Sequence, residues 1–212
     1  MPLFYQQNIN DSTRLGIWHI TESADFFQEN APLQRSITHP HKRLQHLAGR
    51  YLLSQLFHDF PYDEILIADT RKPYLPEEQY HFSISHCGDY AAAIISRHAR
   101  VGIDIEIPTP KIARIAHKFL SEAERLQFGI TENTMPDIPL LTILWSAKEA
   151  IYKWWSYGGV DFSEQISLQP FTEANEGTLK AGFRQAANRF LLQLHFKQFT
   201  QISLVWVADT GV

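Results

Sequence analysis

Val101-Gly102-Ile103-Asp104-Ile105-Glu106 is the stretch on which the fold turns. In an extended strand alternate side chains share a face about 6.5 Å apart, so Asp104 and Glu106 project together while Ile103, Ile105 and Ile107 pack behind. Two acids on one face can share a hard cation, although the same alternation describes any half-solvated strand. A second stretch, Trp145-Ser146-Ala147-Lys148-Glu149-Ala150-Ile151-Tyr152-Lys153, has helical spacing. There Trp145, Glu149 and Lys153 recur at i, i+4 and i+8 and form one stripe, with Lys148 and Tyr152 on the next. A surface Glu–Lys pair at this spacing contributes only about 0.3 kcal/mol. This helix, however, also carries Trp154 and Trp155 and must pack against something, and charges held among aromatics are costly unless paired or metal-bound.

Outward from these stretches, residues 14 to 20 alternate as an edge-like strand, and a short helix follows over Ser23 to Glu29. Pro40 opens an amphipathic helix whose apolar stripe is Leu44, Leu47, Ala48, Tyr51, Leu52 and Leu56 or Phe57. Strands are expected at Glu64 to Ala68, Tyr80 to Ser85 and Tyr90 to Ser96, and Arg97-His98-Ala99-Arg100 turns the last into the Asp104 strand. Beyond it, Lys111 to Phe119 reads as helix, and Ser121-Glu122-Ala123-Glu124 has the spacing of a capping box. Residues 129 to 139 read as a loop before the Trp145 helix, which Gly158-Gly159 ends. Strands at Glu164 to Leu168, Thr178 to Arg184, Arg189 to Phe196 and Ile202 to Val207 complete the chain. Each half is then a long helix followed by strands: an α+β fold with an internal duplication whose boundary lies near residues 97 to 107.

With 212 residues, 44% of them hydrophobic and 13% aromatic, the chain can bury a sizeable core. A net charge of −4 and a pI near 6.2 speak against a nucleic-acid binder, so any anion must meet a local basic cluster. The single cysteine, Cys87, excludes an internal disulfide. The start Met1-Pro2-Leu3-Phe4-Tyr5-Gln6-Gln7 has neither a basic opening nor a signal-length apolar run, and no stretch is long enough to span a bilayer; a cytoplasmic protein with no membrane role is expected.

The two opening stretches resemble the paired motifs of the 4′-phosphopantetheinyl transferase superfamily, (V/I)G(I/V)D(I/V)E and (F/W)xxKEAxxK, at every defined position. Phe82-Ser83-Ile84-Ser85-His86-Cys87 resembles a third element, F-N-I-S-H-S, and Arg71-Lys72-Pro73 a preceding G-K-P. Ser83, Cys87 and Arg71 depart from those patterns. The resemblance covers residues 40 to 155 and is to the longer, pseudo-dimeric members. It implies two similar α+β halves, residues 1–100 and 101–212, related by a pseudo-twofold axis with coenzyme A in the cleft between them. It further implies transfer of the 4′-phosphopantetheine arm from coenzyme A to a serine of an apo acyl or peptidyl carrier protein, releasing adenosine 3′,5′-bisphosphate.

On that resemblance Asp104, Glu106 and Glu149 would hold Mg²⁺, whose preference for oxygen ligands suits carboxylates. Three carboxylates and one dication leave a net negative site, so a pyrophosphate there needs further positive charge, for which Lys153, Lys72 and His86 are candidates. Glu149, beside Lys153, is the candidate base for the serine proton. Lys72, Ser85 and His86 resemble coenzyme A contacts; an ordinary hydrogen-bonded histidine is the plainer reading of His86. Arg43 and Arg50 share a helix face suited to the 3′-phosphate or adenine, and equally suited to plain solvation. His39, His41 and His46 lack a Cys or acid that would complete a transition-metal site. Cys87 beside His86 is read as a small neutral contact residue, not a nucleophile. Glu124 is assigned to its helix cap. The competing readings are another metal-dependent phosphotransferase or pyrophosphohydrolase, and a non-catalytic carrier-binding protein. A duplicated chain contains both sides of its own cleft, so a monomer is expected.

Overall fold

The computed structural model describes residues 3–31, 37–70, 72–131 and 134–209. Arg71, singled out above, lies outside them. The fold is α+β, with every strand pairing antiparallel.

The first unit holds β1 (Leu3–Asn10), β2 (Thr13–His19), α1 (Ala24–Asn30) and α2 (Pro40–Leu56). It continues with β3 (Leu66–Ile67), β4 (Pro73–Tyr74), β5 (His81–Cys87) and β6 (Tyr90–Ser96). Its sheet runs β1-β2-β6-β5, and β3 and β4 form a separate two-stranded hairpin. The second unit holds β7 (Arg100–Glu106), α3 (Lys111–Phe119), α4 (Glu122–Gln127), α5 (Ile138–Trp155) and α6 (Phe162–Gln165). Its strands β8 (Ile166–Leu168), β9 (Glu176–Gln185), β10 (Asn188–Gln198) and β11 (Ser203–Asp209) join β7 in the order β7-β11-β10-β9-β8.

Five local expectations are corrected. Residues 14–20 are not an edge: β1 pairs outside β2, and its glutamine- and asparagine-rich alternation concealed a half-buried strand. β3 is only two residues because a 3₁₀ turn occupies Tyr62–Glu64. Residues from Glu164 begin as helix, because the Asp161 carboxylate accepts from the Ser163 and Glu164 amides and caps a turn there. The loop ends earlier than expected, at the Asp137 cap whose Oδ1 accepts from Leu140 N at 2.9 Å, with proline tolerated in the first turn of α5. At its other end α5 stops at Ser156, in the left-handed region, before the glycine pair is reached.

Helix α2 covers one sheet through Leu47, Leu52 and Leu53, and α5 the other through Leu144, Ile151 and Trp154, all fully buried. A third core lies between the sheets, where Ile103 and Ile105 meet Leu15, Ile17 and Ile94. Strand β7 therefore buries its odd-numbered side chains against the first unit and turns Gly102, Asp104 and Glu106 toward α5. Gly102 fixes how close the helix comes: a Cβ there would stand 2.0 Å from Ala150 O.

Candidate active site

The two opening stretches meet across this contact. Asp104 is 3% exposed, and its Oδ1 accepts from Lys153 Nζ at 2.7 Å and from Ser85 Oγ at 2.9 Å. Its Oδ2 is buried and has no hydrogen-bond partner among the described residues. Trp145 Nε1 donates to Glu106 Oε1 at 3.3 Å, so both ends of the helical stripe read from sequence touch the strand acids. Between those ends lies Glu149, pushed up to about 7 by burial and by the charge of Asp104, with Lys153 pulling the other way. Burial and the same Asp104 charge raise Glu106 as well. Burial leads both shifts, and the charge of Asp104 adds to each against the opposing pull of Lys153.

Such a donor set, all carboxylate oxygens with one buried lone oxygen, suits a hard dication. Among the described residues no group of three His, Cys, Asp or Glu side chains is close enough to hold a metal as it stands. Lys153 occupies Asp104 Oδ1.

Beside the acids opens a cleft of about 250 Å³, lined from the first unit by His46 and Arg50 of α2, the hairpin around Lys72, and His86 of β5. Tyr152, Lys153 and Ser156 line it from the second unit. Its described lining contains Arg50, Lys72 and Lys153 with the two histidines and no acid, the local basic cluster that a chain of net −4 requires to hold an anion. Arg50 is 6% exposed, its Nη1 has no hydrogen-bond partner among the described residues, and its Cζ lies 5.8 Å from the Tyr62 ring centre. Burial holds Lys72 down at about 8, with Arg100 adding repulsion. His86 is lowered by burial, then by Lys153, and stands edge-on to His46 at 4.9 Å.

Two expected cleft residues are placed elsewhere. Arg43 does not line the cleft; its guanidinium donates to Gln28 and ties α2 to α1. Ser85 is turned to the acids: it donates to Asp104 and accepts from Lys153 Nζ at 2.9 Å and from Ile105 N at 3.3 Å. Lys72 lines the cleft, yet its ammonium donates to Lys153 O at 2.6 Å and to Ser156 Oγ.

Ser85 belongs to a seam that sequence reasoning missed. Alternate amides of β7 and the residue after it, those of Ile103, Ile105 and Ile107, donate to Ser83 Oγ, Ser85 Oγ and Cys87 Sγ at 3.2, 3.3 and 3.4 Å. Two sheet edges are thus joined by side chains instead of backbone carbonyls, and small polar residues at every second position of β5 were the signal. Cys87 is pushed up to about 11 by burial, which disfavours the thiolate and fits the contact role. Lys148 was also missed: fully buried, it donates to Glu124 at 2.7 Å and to the carbonyls of Phe162 and Ile166 at 2.8 and 2.9 Å. Glu124 completes its capping box and also accepts from Leu168 N at 2.9 Å, so cap and buried ion pair share one carboxylate. His39 caps α2 and His41 bonds Gly88 O, leaving only His46 of that trio at the cleft.

Comparison with known proteins is concordant across both units. Residues 100–204 match the 4′-phosphopantetheinyl transferase superfamily, and residues 29–96 the 4′-phosphopantetheinyl transferase N-terminal domain. Enterobactin synthase component D of Salmonella austin is 31% identical over 140 residues, covering 66% of this chain and 56% of that protein. Its Escherichia coli (strain K12) counterpart is 34% identical over 115 residues, 53% of this chain and 54% of the relative. The 4′-phosphopantetheinyl transferase AcpT of Escherichia coli O157:H7 is 32% identical over 137 residues, 60% of this chain and 68% of the relative. The chain thus matches little more than half the length of the synthase components. With both units matched and the motif residues converging on one buried cluster, the chain belongs to the 4′-phosphopantetheinyl transferase superfamily.

Proposed function

We propose that this protein transfers the 4′-phosphopantetheine arm of coenzyme A to a serine hydroxyl of an apo acyl or peptidyl carrier protein. The observation that carries the reading is a basic cleft opening directly beside a buried acid cluster, with Lys153 belonging to both. Arg50, Lys72, His86 and Lys153 receive the phosphates of coenzyme A. Asp104, through its free Oδ2, with Glu106 and Glu149, would hold Mg²⁺, which supplies positive charge against the pyrophosphate. The carrier serine attacks the phosphorus next to pantetheine, the bond to the adenylate-side phosphate breaks, and adenosine 3′,5′-bisphosphate leaves. Glu149, beside Lys153 on the same helix stripe, takes the serine proton, and Lys153 offsets charge on the leaving group. Orientation across the cleft supplies much of the remaining acceleration.

The same reading makes the two units halves of a duplicated fold, residues 1–100 and 101–212, related by a pseudo-twofold axis. It is supported by each unit having one long helix packed on its own antiparallel sheet. No helix among the described residues is long and apolar enough to cross a membrane.

The test is intact-mass analysis of several apo carriers after incubation with the protein, coenzyme A and Mg²⁺. A carrier gaining one phosphopantetheine is the expected result, with Asp104→Ala and Glu149→Gln each slowing it by about 100-fold or more. Coenzyme A cleaved with the carrier unchanged would establish a pyrophosphohydrolase. Full turnover by both variants would falsify the acid-cluster model.

A further inference from the structure

Ser156 caps α5 with φ 76°, one of three non-glycine residues with positive φ among the described residues. Glycine adopts this conformation without steric penalty and serine does not. The residue at this cap nevertheless carries a hydroxyl, and the hydroxyl is used. Ser156 Oγ accepts from Lys72 Nζ and donates back to the end of α5, to the carbonyls of Lys153 and Trp154 at 3.1 Å each. The Ser156 carbonyl accepts from Thr70 Oγ1 at 3.3 Å. Both partners, Thr70 and Lys72, lie between β3 and β4 and line one wall of the cleft.

Apart from these bonds, the wall is held by Ile65 and Leu75, buried on either side of the hairpin, and by Ala68 N donating to Lys72 O at 2.9 Å. The β3–β4 hairpin is two residues per strand, and Leu66, Ile67 and Tyr74 are 46%, 43% and 42% exposed. A hairpin of this size is not stable alone. A lysine ammonium has three protons, and Lys72 gives two to α5 and its cap, leaving one for a cleft ligand.

We propose that Ser156 is a positioning residue: it latches the β3–β4 connection to the end of α5 and so holds Lys72 where its remaining proton meets a ligand phosphate. The inference rests on the coenzyme A reading above and adds to it a cleft-lining residue that acts through Lys72. Burial disfavours the charged form of Lys72, so without the Ser156 acceptor the ammonium is drawn out toward water and the connection loosens with it.

Two variants of the full chain test this. Ser156→Gly keeps the left-handed cap and removes the acceptor; Ser156→Asn tolerates the same backbone and restores an acceptor through its carboxamide oxygen. For Ser156→Gly we expect an unchanged or higher melting temperature, with dissociation of adenosine 3′,5′-bisphosphate and KM for coenzyme A raised about ten-fold and kcat changed less than about two-fold. Ser156→Asn should return affinity close to wild type. Hydrogen exchange of residues 66–74 in the ligand-free protein, faster in Ser156→Gly than in wild type, reads the latch without any ligand. Unchanged affinity and exchange in Ser156→Gly, or no recovery in Ser156→Asn, would overturn the role of Ser156. A wild type that binds no coenzyme A while exchange still differs would instead overturn the functional reading.

Discussion

Glu149 shows how one position collects its chemistry from several elements. Its helix spacing brings Lys153 alongside, and the packing of α5 on β7 brings the charge of Asp104. Its folded value near 7 against an unfolded 4.5 means the folded state binds its proton more tightly, so this group favours folding below pH 4.5 and loses that contribution as pH rises through 7. Replacing it with glutamine should therefore stabilise the metal-free protein by about 2 kcal/mol more at pH 8 than at pH 5, read from urea denaturation of the two proteins. An equal difference at both pH values would show that Glu149 is not held up by its neighbours. Cys87 gives a second prediction from the same kind of argument. With the thiol near 11 in place of 9, alkylation by iodoacetamide at pH 8 should run about 100-fold slower than for a free thiol. Alkylation at the free-thiol rate would contradict the partial burial that raises the thiol.

At the scale of elements, the decisive event is the approach of α5 to β7. Gly102 reads in sequence merely as part of a strand, and nothing local demands glycine there. In the fold its missing side chain is the space that Ala150 O and Trp154 N occupy. Gly102→Ala should destabilise the protein by about 3 kcal/mol or more, because backbone, not a flexible side chain, would have to move. Urea midpoints near wild type for that variant would refute direct helix-on-strand contact. The same helix shows where pattern reading succeeds and stops. Its stripe Trp145, Glu149 and Lys153 was legible because i, i+4 spacing is a property of the helix alone. The role of Lys148 was not, because its partner Glu124 already satisfied a local rule as a cap, and only packing of α4 on α5 shows that it does both. The missed β1 and the helical turn α6, found where a strand from Glu164 was expected, are effects of the same kind, in which pairing or a capping Asp overrides weak local preference.

For the whole molecule, the cleft draws walls from both units of one chain, and the seam of Ser83, Ser85 and Cys87 holds those units together at the acids. A second copy is not needed to complete the site, so the protein should elute as a monomer in size-exclusion chromatography with light scattering. A stable trimer that dissociates only with loss of activity would show that the cleft is completed between chains. Ser85 connects this scale to the chemistry. Its single hydroxyl binds β7, Asp104 and Lys153 at once, a role invisible while it was read as a ligand contact.

The sequence by itself determined the α+β class, the long helices, the acids of the β7 face and the stripe opposite them, because periodicity of 2 and 3.6 assigns side chains to faces without reference to the rest of the chain. Only the tertiary structure decided which of the basic candidates reach the cleft: Arg50 does, Arg43 does not, and Ser85 turns to the acids. It also decided that Lys153, and not a ready-made ring of carboxylates, stands against Asp104. The physical reason is that position within an element follows from local geometry, whereas burial, charge coupling and the choice of partner arise only when distant segments are brought into contact.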